Sequence, residues 1–273
     1  MIKTIDCKSP NYLSKLKGIL EKRRSGNNVN TDIAKKIVKD IKKNKLKALK
    51  KYEKKFSNNT QLKISKKKII KSIKKLDPKV KKAIDFAYNR ILKFHKTQKV
   101  KNLKYKDSLG NSIEYKFLPI ESVGIYVPAN LPSTLLMNAI PAKIANVRRI
   151  ILANPKINGE LNPAILYAAK KLNIGKIYSM GGAQAIASLA YIQKVNKIVG
   201  PGNKFVAEAK RQLSGKLIGT ESMYAGASEI CVLADKDTNV NQVVTSLVSQ
   251  AEHDTNSQCI LVTKDKKIIN KVK

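Results

Sequence analysis

Apolar side chains in the first 100 residues recur three or four positions apart, which is the spacing of one face of an α-helix. Two runs before residue 77 show this spacing: Ile33, Ile37, Ile41, Leu46, Leu49, Tyr52 and Phe56 in the first, and Ile69, Ile70, Ile73 and Leu76 in the second. Asp77 and Pro78 are typical of a helix N-cap and first helical position. Between residues 103 and 118 the pattern becomes a loose alternation around Gly110-Asn111, which predicts a β-hairpin.

From residue 120 onward, short apolar runs alternate with amphipathic helical segments. The predicted strands are 123–127, 149–153, 176–179, 197–199, 230–234 and 259–263, and the predicted helices are 136–145, 162–172, 183–190, 205–213 and 240–253. Strands and helices that alternate in this way form βαβ units on a parallel sheet. The chain is therefore predicted to have an α/β fold, with an N-terminal helical region followed by a parallel sheet.

The composition is typical of a globular protein, but the positive charge is large. The chain has 273 residues, of which 42% are hydrophobic, and its formal net charge is +36. Such a charge would be compatible with nucleic acid as a partner. However, the lysines recur on polar helix faces, arginine is scarce, and no basic stretch is interleaved with aromatic residues. We expect weak, salt-sensitive adsorption to polyanions and no specific nucleic-acid binding.

Cysteine spacing and the absence of targeting signals predict a cytoplasmic protein without a membrane span. The first residues carry an acid and no long apolar stretch, and no apolar run approaches the about 20 residues that cross a bilayer. The three cysteines, Cys7, Cys231 and Cys259, are far apart and form no CxxC pair, which suits a reducing compartment. Cys231 and Cys259 lie within apolar predicted strands, so we expect both to be buried packing residues.

Two glycine-rich turns follow predicted strands, which is where α/β sheets commonly bind nucleotides. The first spans residues 180–184 (MGGAQ) and the second spans residues 200–203 (GPGN), so each includes an amide side chain, Gln184 or Asn203. Neither turn has the GxGxxG fingerprint of a standard dinucleotide site. A ligand cleft and ordinary structural turns both remain compatible with this pattern.

Gln250 and His253 are three residues apart near the end of a predicted helix and therefore share one helix face. Imidazole is the commonest metal ligand and an amide oxygen is a rarer one. Because a zinc site needs about four ligands, the spacing by itself leaves a metal site as the less favoured interpretation. Ser228, in the turn before strand 230–234, is either a hydroxyl donor to a substrate or a turn residue.

Several longer motifs together resemble the histidinol dehydrogenase family. They are residues 123–128 (VGIYVP), 181–187 (GGAQAIA), 200–206 (GPGNKFV), 208–212 (EAKRQ), 225–229 (AGASE), 250–253 (QAEH) and 257–258 (SQ). The helical start adds Ala48-Leu49 with Tyr52 and Lys55-Phe56, and later Phe94-His95 with Gln98. The resemblance extends over nearly the whole chain.

This resemblance implies an oxidoreductase that uses NAD and zinc to oxidise L-histidinol through the aldehyde to L-histidine, the last step of histidine biosynthesis. By motif position it assigns NAD contacts to Tyr126, Gln184 and Asn203, substrate contacts to Ser228, Gln250 and His253, and zinc ligation to Gln250 and His253. In the family, the zinc anchors the amino and imidazole nitrogens of the substrate. A histidine acts as the base for the alcohol proton, and a glutamate activates water for the second oxidation.

The resemblance also implies Rossmann-like α/β domains and an intertwined homodimer. It divides the chain into a discontinuous α/β domain, residues 1–125 with 229–273, and a Rossmann-like domain, residues 126–228. The family's catalytic Glu-His pair and its other two zinc ligands, an aspartate and a histidine, have no counterpart up to Lys273. We therefore expect this chain to be truncated before them and to be inactive by itself.

Two other functions are compatible with these residues. One is a related dehydrogenase of the same superfamily that acts on another alcohol. The other is a non-enzymatic basic protein that binds polyanions. The segments after Pro128 and around 191–195 are shorter than is usual in the family, and both border the presumed cofactor cleft. Substrate profiling separates the two dehydrogenases, and nucleic-acid binding at physiological salt without NAD or zinc binding would favour the polyanion-binding protein.

Overall fold

The computed structural model describes residues 2–25, 32–221, 229–252 and 257–272. Its helices are α1 (Tyr12–Ser25), α2 (Asp32–Ser57), α3 (Lys66–Lys74), α4 (Pro78–Lys96), α5 (Pro132–Ile144), α6 (Pro163–Lys171), α7 (Gly182–Tyr191), α8 (Lys204–Leu213), α9 (Val240–Ala251) and α10 (Lys266–Val272). Its strands are β1 (Leu103–Lys106), β2 (Ser112–Tyr115), β3 (Ser122–Tyr126), β4 (Arg149–Ala153), β5 (Lys176–Tyr178), β6 (Lys197–Val199), β7 (Gly219–Thr220), β8 (Glu229–Ala234) and β9 (Gln258–Thr263). None of the helices among these residues is both long and apolar enough to cross a bilayer.

The predicted α/β fold is confirmed. All six predicted strands are present, and β4 and β6 have the predicted bounds. The predicted hairpin is the antiparallel pair β1-β2, and Asp77 caps α4 by accepting a hydrogen bond from the N–H of Lys79 at 2.7 Å. The sequence pattern misses β7, because a strand of two residues leaves no recognisable alternation.

Five strands form a parallel sheet in the order β5-β4-β3-β6-β7. Within this sheet β3 is the central strand. β4 and then β5 lie on one side of it, and after β5 the chain crosses back so that β6 and then β7 lie on the other side. The strand order therefore reverses between β3 and β6. In open α/β sheets, the crevice beyond the carboxyl ends of two such strands is the usual ligand site.

Helices cover both faces of this sheet. One layer consists of α2, α7 and α8, which pack on one another, and the other consists of α3 to α6. The core of the first layer includes Ile41 and Leu49 of α2 with the alanine-rich α7, and the core of the second includes Leu135, Ile140 and Ile165. Because helices lie on both sides, every residue of β3 is buried.

The contacts divide the chain into two units, residues 31–224 and residues 1–30 with 225–273. In the smaller unit, α9 packs on the parallel pair β8-β9. The larger unit includes the segment 31–125, which the resemblance assigns to the discontinuous domain with 229–273. The segment 31–125 falls in the larger unit because the apolar faces of α2, α3 and α4 pack against the helices of the five-stranded sheet.

α2 is interrupted at Lys45, whose backbone (φ 46°, ψ −124°) is not helical. Asp40, before the interruption, accepts hydrogen bonds from Asn44 Nδ2 at 2.7 Å, Lys51 Nζ at 3.0 Å and Tyr52 OH at 2.9 Å. Since Lys51 and Tyr52 follow the interruption, the Asp40 carboxylate joins the two helical segments. These hydrogen bonds lower the pKa of Asp40 to about 2, while burial and the hydrogen bond to Asp40 raise the pKa of Tyr52 to about 12.

We expect Asp40→Asn to destabilise the larger unit by about 1 kcal/mol at pH 7, because it weakens the hydrogen bonds that join the helical segments before and after Lys45. Folding lowers the pKa of Asp40, so its contribution is present above the unfolded value of ~3.9 and is lost as the pH falls through about 2. Folding raises the pKa of Tyr52, so its contribution is present below ~10 and is lost as the pH rises through about 12. Urea unfolding at pH 7 and pH 2 measures the first effect. The difference between wild type and Asp40→Asn should shrink at pH 2, and an unchanged difference would contradict this role.

The prediction that Cys231 and Cys259 are buried is wrong. Cys231 is exposed and Cys259 is half-buried, with its Sγ donating to the backbone oxygen of Leu247 at 3.2 Å. Exposed and partly covered positions alternate along β8. Within the residues that the structure describes, α9 covers only one face of the β8-β9 pair, so the apolar residues of the other face are left exposed.

Candidate functional site

The candidate site lies at the carboxyl edge of the five-stranded sheet. At this edge β3 ends in Tyr126, β5 leads into the glycine turn at 180–184, and β6 leads into the glycine turn at 200–203. The two turns open α7 and α8, so two helix amino termini lie along the same edge. Helix amino termini carry partial positive charge and N–H groups that favour anionic ligand groups.

Tyr126 connects β3 to the first glycine turn. Its side chain is buried, and its hydroxyl accepts a hydrogen bond from the backbone N–H of Gly182 at 3.4 Å. Burial raises the pKa of this hydroxyl, and the charge of Glu53 acts in the same direction. Tyr126 is therefore a neutral hydroxyl at neutral pH, able both to donate and to accept hydrogen bonds.

The first glycine turn is packed too closely for larger residues. A Cβ on Gly181 would lie 2.9 Å from Pro155 Cβ, and a Cβ on Gly182 would lie 2.9 Å from Gln184 Oε1. Gly182 also has a φ of 58°, which glycine adopts without strain. The absence of a side chain at Gly181 makes room for Pro155, and its absence at Gly182 makes room for the Gln184 amide at the start of α7.

A buried carboxylate from α2 holds this turn. Glu53 is 1% exposed. Its Oε1 accepts hydrogen bonds from the N–H of Gly181 at 2.9 Å and from Gln184 Nε2 at 3.0 Å, and its Oε2 accepts one from Asn59 Nδ2 at 3.2 Å. Asn59 Nδ2 also donates to the backbone oxygen of Ser179 at 2.6 Å. This network attaches α2 to the end of β5 and to the start of α7.

The second glycine turn is in backbone contact with β3. Gly200 has a φ of 108°, and a Cβ on it would lie 2.0 Å from the backbone oxygen of Tyr126. The carbonyl oxygen of Gly200 accepts a hydrogen bond from Lys210 of α8, which is buried and also pairs with Glu221. Lys210 therefore fixes the turn from the side of α8.

Asn203 is the N-cap of α8 and is exposed. Its Oδ1 accepts hydrogen bonds from the N–H groups of Phe205 at 3.1 Å and Val206 at 3.2 Å. This leaves its side-chain NH₂ as the group that faces other partners, since an amide has two donors in addition to its oxygen.

The structure brings Tyr126, Gln184 and Asn203 to one edge of the sheet. Tyr126 and Gln184 belong to one cluster of hydrogen bonds through Gly182 and Glu53, and Asn203 ends the turn whose Gly200 touches Tyr126. The edge therefore offers a neutral hydroxyl and two amides, beside two helix amino termini whose N–H groups are partly taken by Glu53, Tyr126 and Asn203. The hydroxyl and the amides suit the hydroxyl and amide groups of a dinucleotide. Their contact with NAD stays a prediction.

Of the residues assigned to substrate and zinc, the structure describes Gln250. It lies half-buried in the last turn of α9, in the smaller unit. Ser228 and His253 lie outside the described residues. Within 2–25, 32–221, 229–252 and 257–272, no group of three or more His, Cys, Asp or Glu side chains could hold a metal ion. The zinc and substrate assignments stay predictions.

Two further site residues, Glu53 and Lys210, are not identified from the sequence, although a signal for each is present. Glu53 follows the buried Leu49 by four residues, and Lys210 follows the buried Val206 by four residues, so each falls on the apolar face of its helix. Charged residues at such positions are almost never fully buried unless they are paired. A charge at a core position is therefore a usable signal of a polar network.

Comparisons with known proteins agree with the resemblance. A family model described as histidinol dehydrogenase matches residues 20–273. The chain is 51% identical to the histidinol dehydrogenase of Pelagibacter ubique, with an alignment that covers 100% of this chain and 65% of that protein. It is 46% identical to the histidinol dehydrogenase of Acinetobacter baylyi, over 72% of this chain and 47% of that protein.

Solved structures show the same relationship. The crystal structure of histidinol dehydrogenase from Elizabethkingia anophelis superposes with a TM-score of 0.81 at 37% identity, covering 88% of this chain and 58% of that chain. A putative aldehyde dehydrogenase from Burkholderia cenocepacia, at 12% identity and a TM-score of 0.52, shares the fold alone.

The chain spans 65% of the length of the Pelagibacter protein and less of the others named here. The family model nevertheless matches most of the chain, and the whole chain aligns with the Pelagibacter protein. The chain belongs to the histidinol dehydrogenase family, a family of oxidoreductases.

Proposed function

We propose that the protein oxidises L-histidinol to L-histidine, with NAD as the hydride acceptor and zinc as a required metal. The observation that carries the proposal is the position of Tyr126, Gln184 and Asn203 around the point where the strand order of the sheet reverses. The family to which the chain belongs supports the substrate and the reaction.

The carboxyl edge of the sheet suits NAD by the chemistry of its donors and acceptors. The Tyr126 hydroxyl and the Gln184 amide are buried beside the start of α7, while Asn203 lies exposed at the start of α8. In this proposal, these three side chains bind and orient the dinucleotide, and the buried pair excludes water from one side of it. NAD, when bound, supplies the hydride acceptor.

For the substrate, we propose contacts from Ser228, Gln250 and His253, with Gln250 and His253 also binding zinc. The spacing of Gln250 and His253 places both on one helix face, and imidazole and amide oxygen are suitable zinc donors. Zinc, when bound, supplies a Lewis acid. We further propose that the protein is a cytoplasmic homodimer in histidine biosynthesis, as the family implies.

The test follows NADH absorbance with the protein isolated from its own cells, mixed with NAD and L-histidinol. We expect two molecules of NADH for each L-histidinol, because oxidation of an alcohol to a carboxylate removes four electrons. A chelator should abolish the reaction, and added zinc should restore it. Gln250→Ala should lower the bound zinc, whereas Gln242→Ala, an exposed amide on the same helix, should not.

Two outcomes would contradict the proposal. Reduction of NAD with another alcohol but not with L-histidinol would assign the protein to a different dehydrogenase of the superfamily. Nucleic-acid binding that persists at physiological salt, with neither NAD nor zinc bound, would favour a basic polyanion-binding protein instead.

A further inference from the structure

Glu53 is an unusual residue to find inside this protein, since it is a buried carboxylate without a salt bridge among the described residues. It is 1% exposed, and Lys156 donates to Asn59 Oδ1 at 2.8 Å, so this cation acts on Glu53 by its charge rather than by a direct hydrogen bond. A buried charge is costly unless hydrogen-bond donors compensate it. The direct hydrogen bonds to the Glu53 side chain come from three N–H donors, those of Gly181, Gln184 and Asn59.

The hydrogen bond to Glu53 fixes the orientation of the Gln184 amide. An ionised carboxylate only accepts hydrogen bonds, so Gln184 must direct its Nε2 toward Glu53. Its Oε1 is then held over Gly182, 2.9 Å from the place that a Cβ on that glycine would occupy. The side chain of Gln184 thus presents an acceptor at the start of α7.

The same carboxylate takes the N–H group that a phosphate would otherwise bind at this turn. The N–H of Gly181 donates to Glu53 at 2.9 Å, and that of Gly182 points to the Tyr126 hydroxyl at 3.4 Å. Standard dinucleotide turns use such free N–H groups for the diphosphate. In this chain the side chains of Tyr126 and Gln184 are therefore the groups that the turn offers to a ligand.

We propose that Glu53 is a positioning residue for the cofactor, which acts by holding Gln184 with its Oε1 facing a hydroxyl or amide donor of NAD. This inference rests on the proposed function, because it requires that the carboxyl edge of the sheet binds NAD. Glu53 itself does not touch the cofactor. Its effect on binding therefore passes entirely through Gln184.

The test is a double-variant cycle on the affinity for NAD, measured by isothermal titration calorimetry. We expect Glu53→Gln to weaken NAD binding about tenfold, because glutamine has one acceptor oxygen and its NH₂ group must face a donor, either Asn59 Nδ2 or the pair formed by the Gly181 N–H and Gln184 Nε2. Gln184→Ala should weaken it at least as much. In the Gln184→Ala background, Glu53→Gln should cause no further loss, because the group through which it acts is gone.

Glu208→Gln is the matched control for the loss of a buried carboxylate. Glu208 lies on α8, is 8% exposed and accepts hydrogen bonds from Arg211 and Gln212 of its own helix. We expect this variant to bind NAD like wild type. Circular dichroism confirms that each variant is folded, and Glu53→Asp replaces Glu53→Gln if the latter does not fold.

The outcomes separate this inference from the proposed function. If the wild-type protein does not bind NAD, the proposed function fails. If the wild type binds NAD and Glu53→Gln binds it equally well, Glu53 has no positioning role. If Glu53→Gln weakens binding by the same factor with and without Gln184, its effect does not pass through Gln184, and the inference is wrong.

Discussion

Gly200→Ala is expected to destabilise the larger unit by more than about 3 kcal/mol. A Cβ at this position would lie 2.0 Å from the backbone oxygen of Tyr126, and the φ of 108° is unfavourable for alanine. The clash is with the backbone of the central strand β3, which is buried on both faces and has no room to move. The variant should also lose affinity for NAD, because it separates the second glycine turn from Tyr126.

Gly159→Ala is the control for this experiment, because its φ of 79° is also positive but, apart from its neighbours in the chain, no atom lies within 4 Å of its Cβ position. Backbone strain alone should cost about 1–2 kcal/mol there. Urea unfolding of both variants measures the difference between them. Equal losses of unfolding free energy at the two glycines would contradict the close contact between Gly200 and β3.

Lys210→Met is expected to destabilise the fold by about 2–4 kcal/mol, with a Met side chain in place of the buried cation. The substitution leaves the carbonyl oxygen of Gly200 without this donor and the Glu221 carboxylate without this cation. Lys204→Met, at the exposed first residue of α8, should change the unfolding free energy by less than about 0.5 kcal/mol.

A second substitution, at Glu221, should restore part of the unfolding free energy that Lys210→Met removes. Replacing Glu221 with leucine in the Lys210→Met background removes the carboxylate that has lost its cation, so part of the loss should be recovered. Urea unfolding of the two single variants and the double variant measures this coupling. Strictly additive effects would show that Lys210 and Glu221 do not act as a pair.

Most of the five-stranded sheet can be predicted from the sequence, because local signals there agree with the tertiary structure. β4 and β6 have the predicted bounds, since each has a short apolar run that ends directly before a polar or glycine residue, Asn154 or Gly200. Helix starts with a side-chain cap, such as Asp77 before α4, are also predictable. By contrast, α5 begins at Pro132 rather than at the predicted residue 136, because its first turn has no side-chain cap.

The candidate site is only partly predictable, because its polar network is not local. The turns at 180–184 and 200–203 and their amides are visible in the sequence, since glycine and amide residues directly follow strands. The hydrogen bond between Glu53 and Gly181 joins residues 128 positions apart and depends on how α2 packs on α7. The exposure of Cys231 likewise depends on what covers β8, which no local pattern specifies.

We expect NAD to bind at the carboxyl edge of β3 and β6, and equilibrium titration of NAD into this chain measures that binding. We predict saturable binding at one site. Tyr126→Phe, which removes only a hydroxyl, and Gln184→Ala should each weaken it, the latter at least tenfold, while Gln98→Ala, an exposed amide on the segment after α4, should leave it unchanged. No saturable binding, or one affinity shared by all four proteins, would contradict the assignment of this edge as the cofactor site.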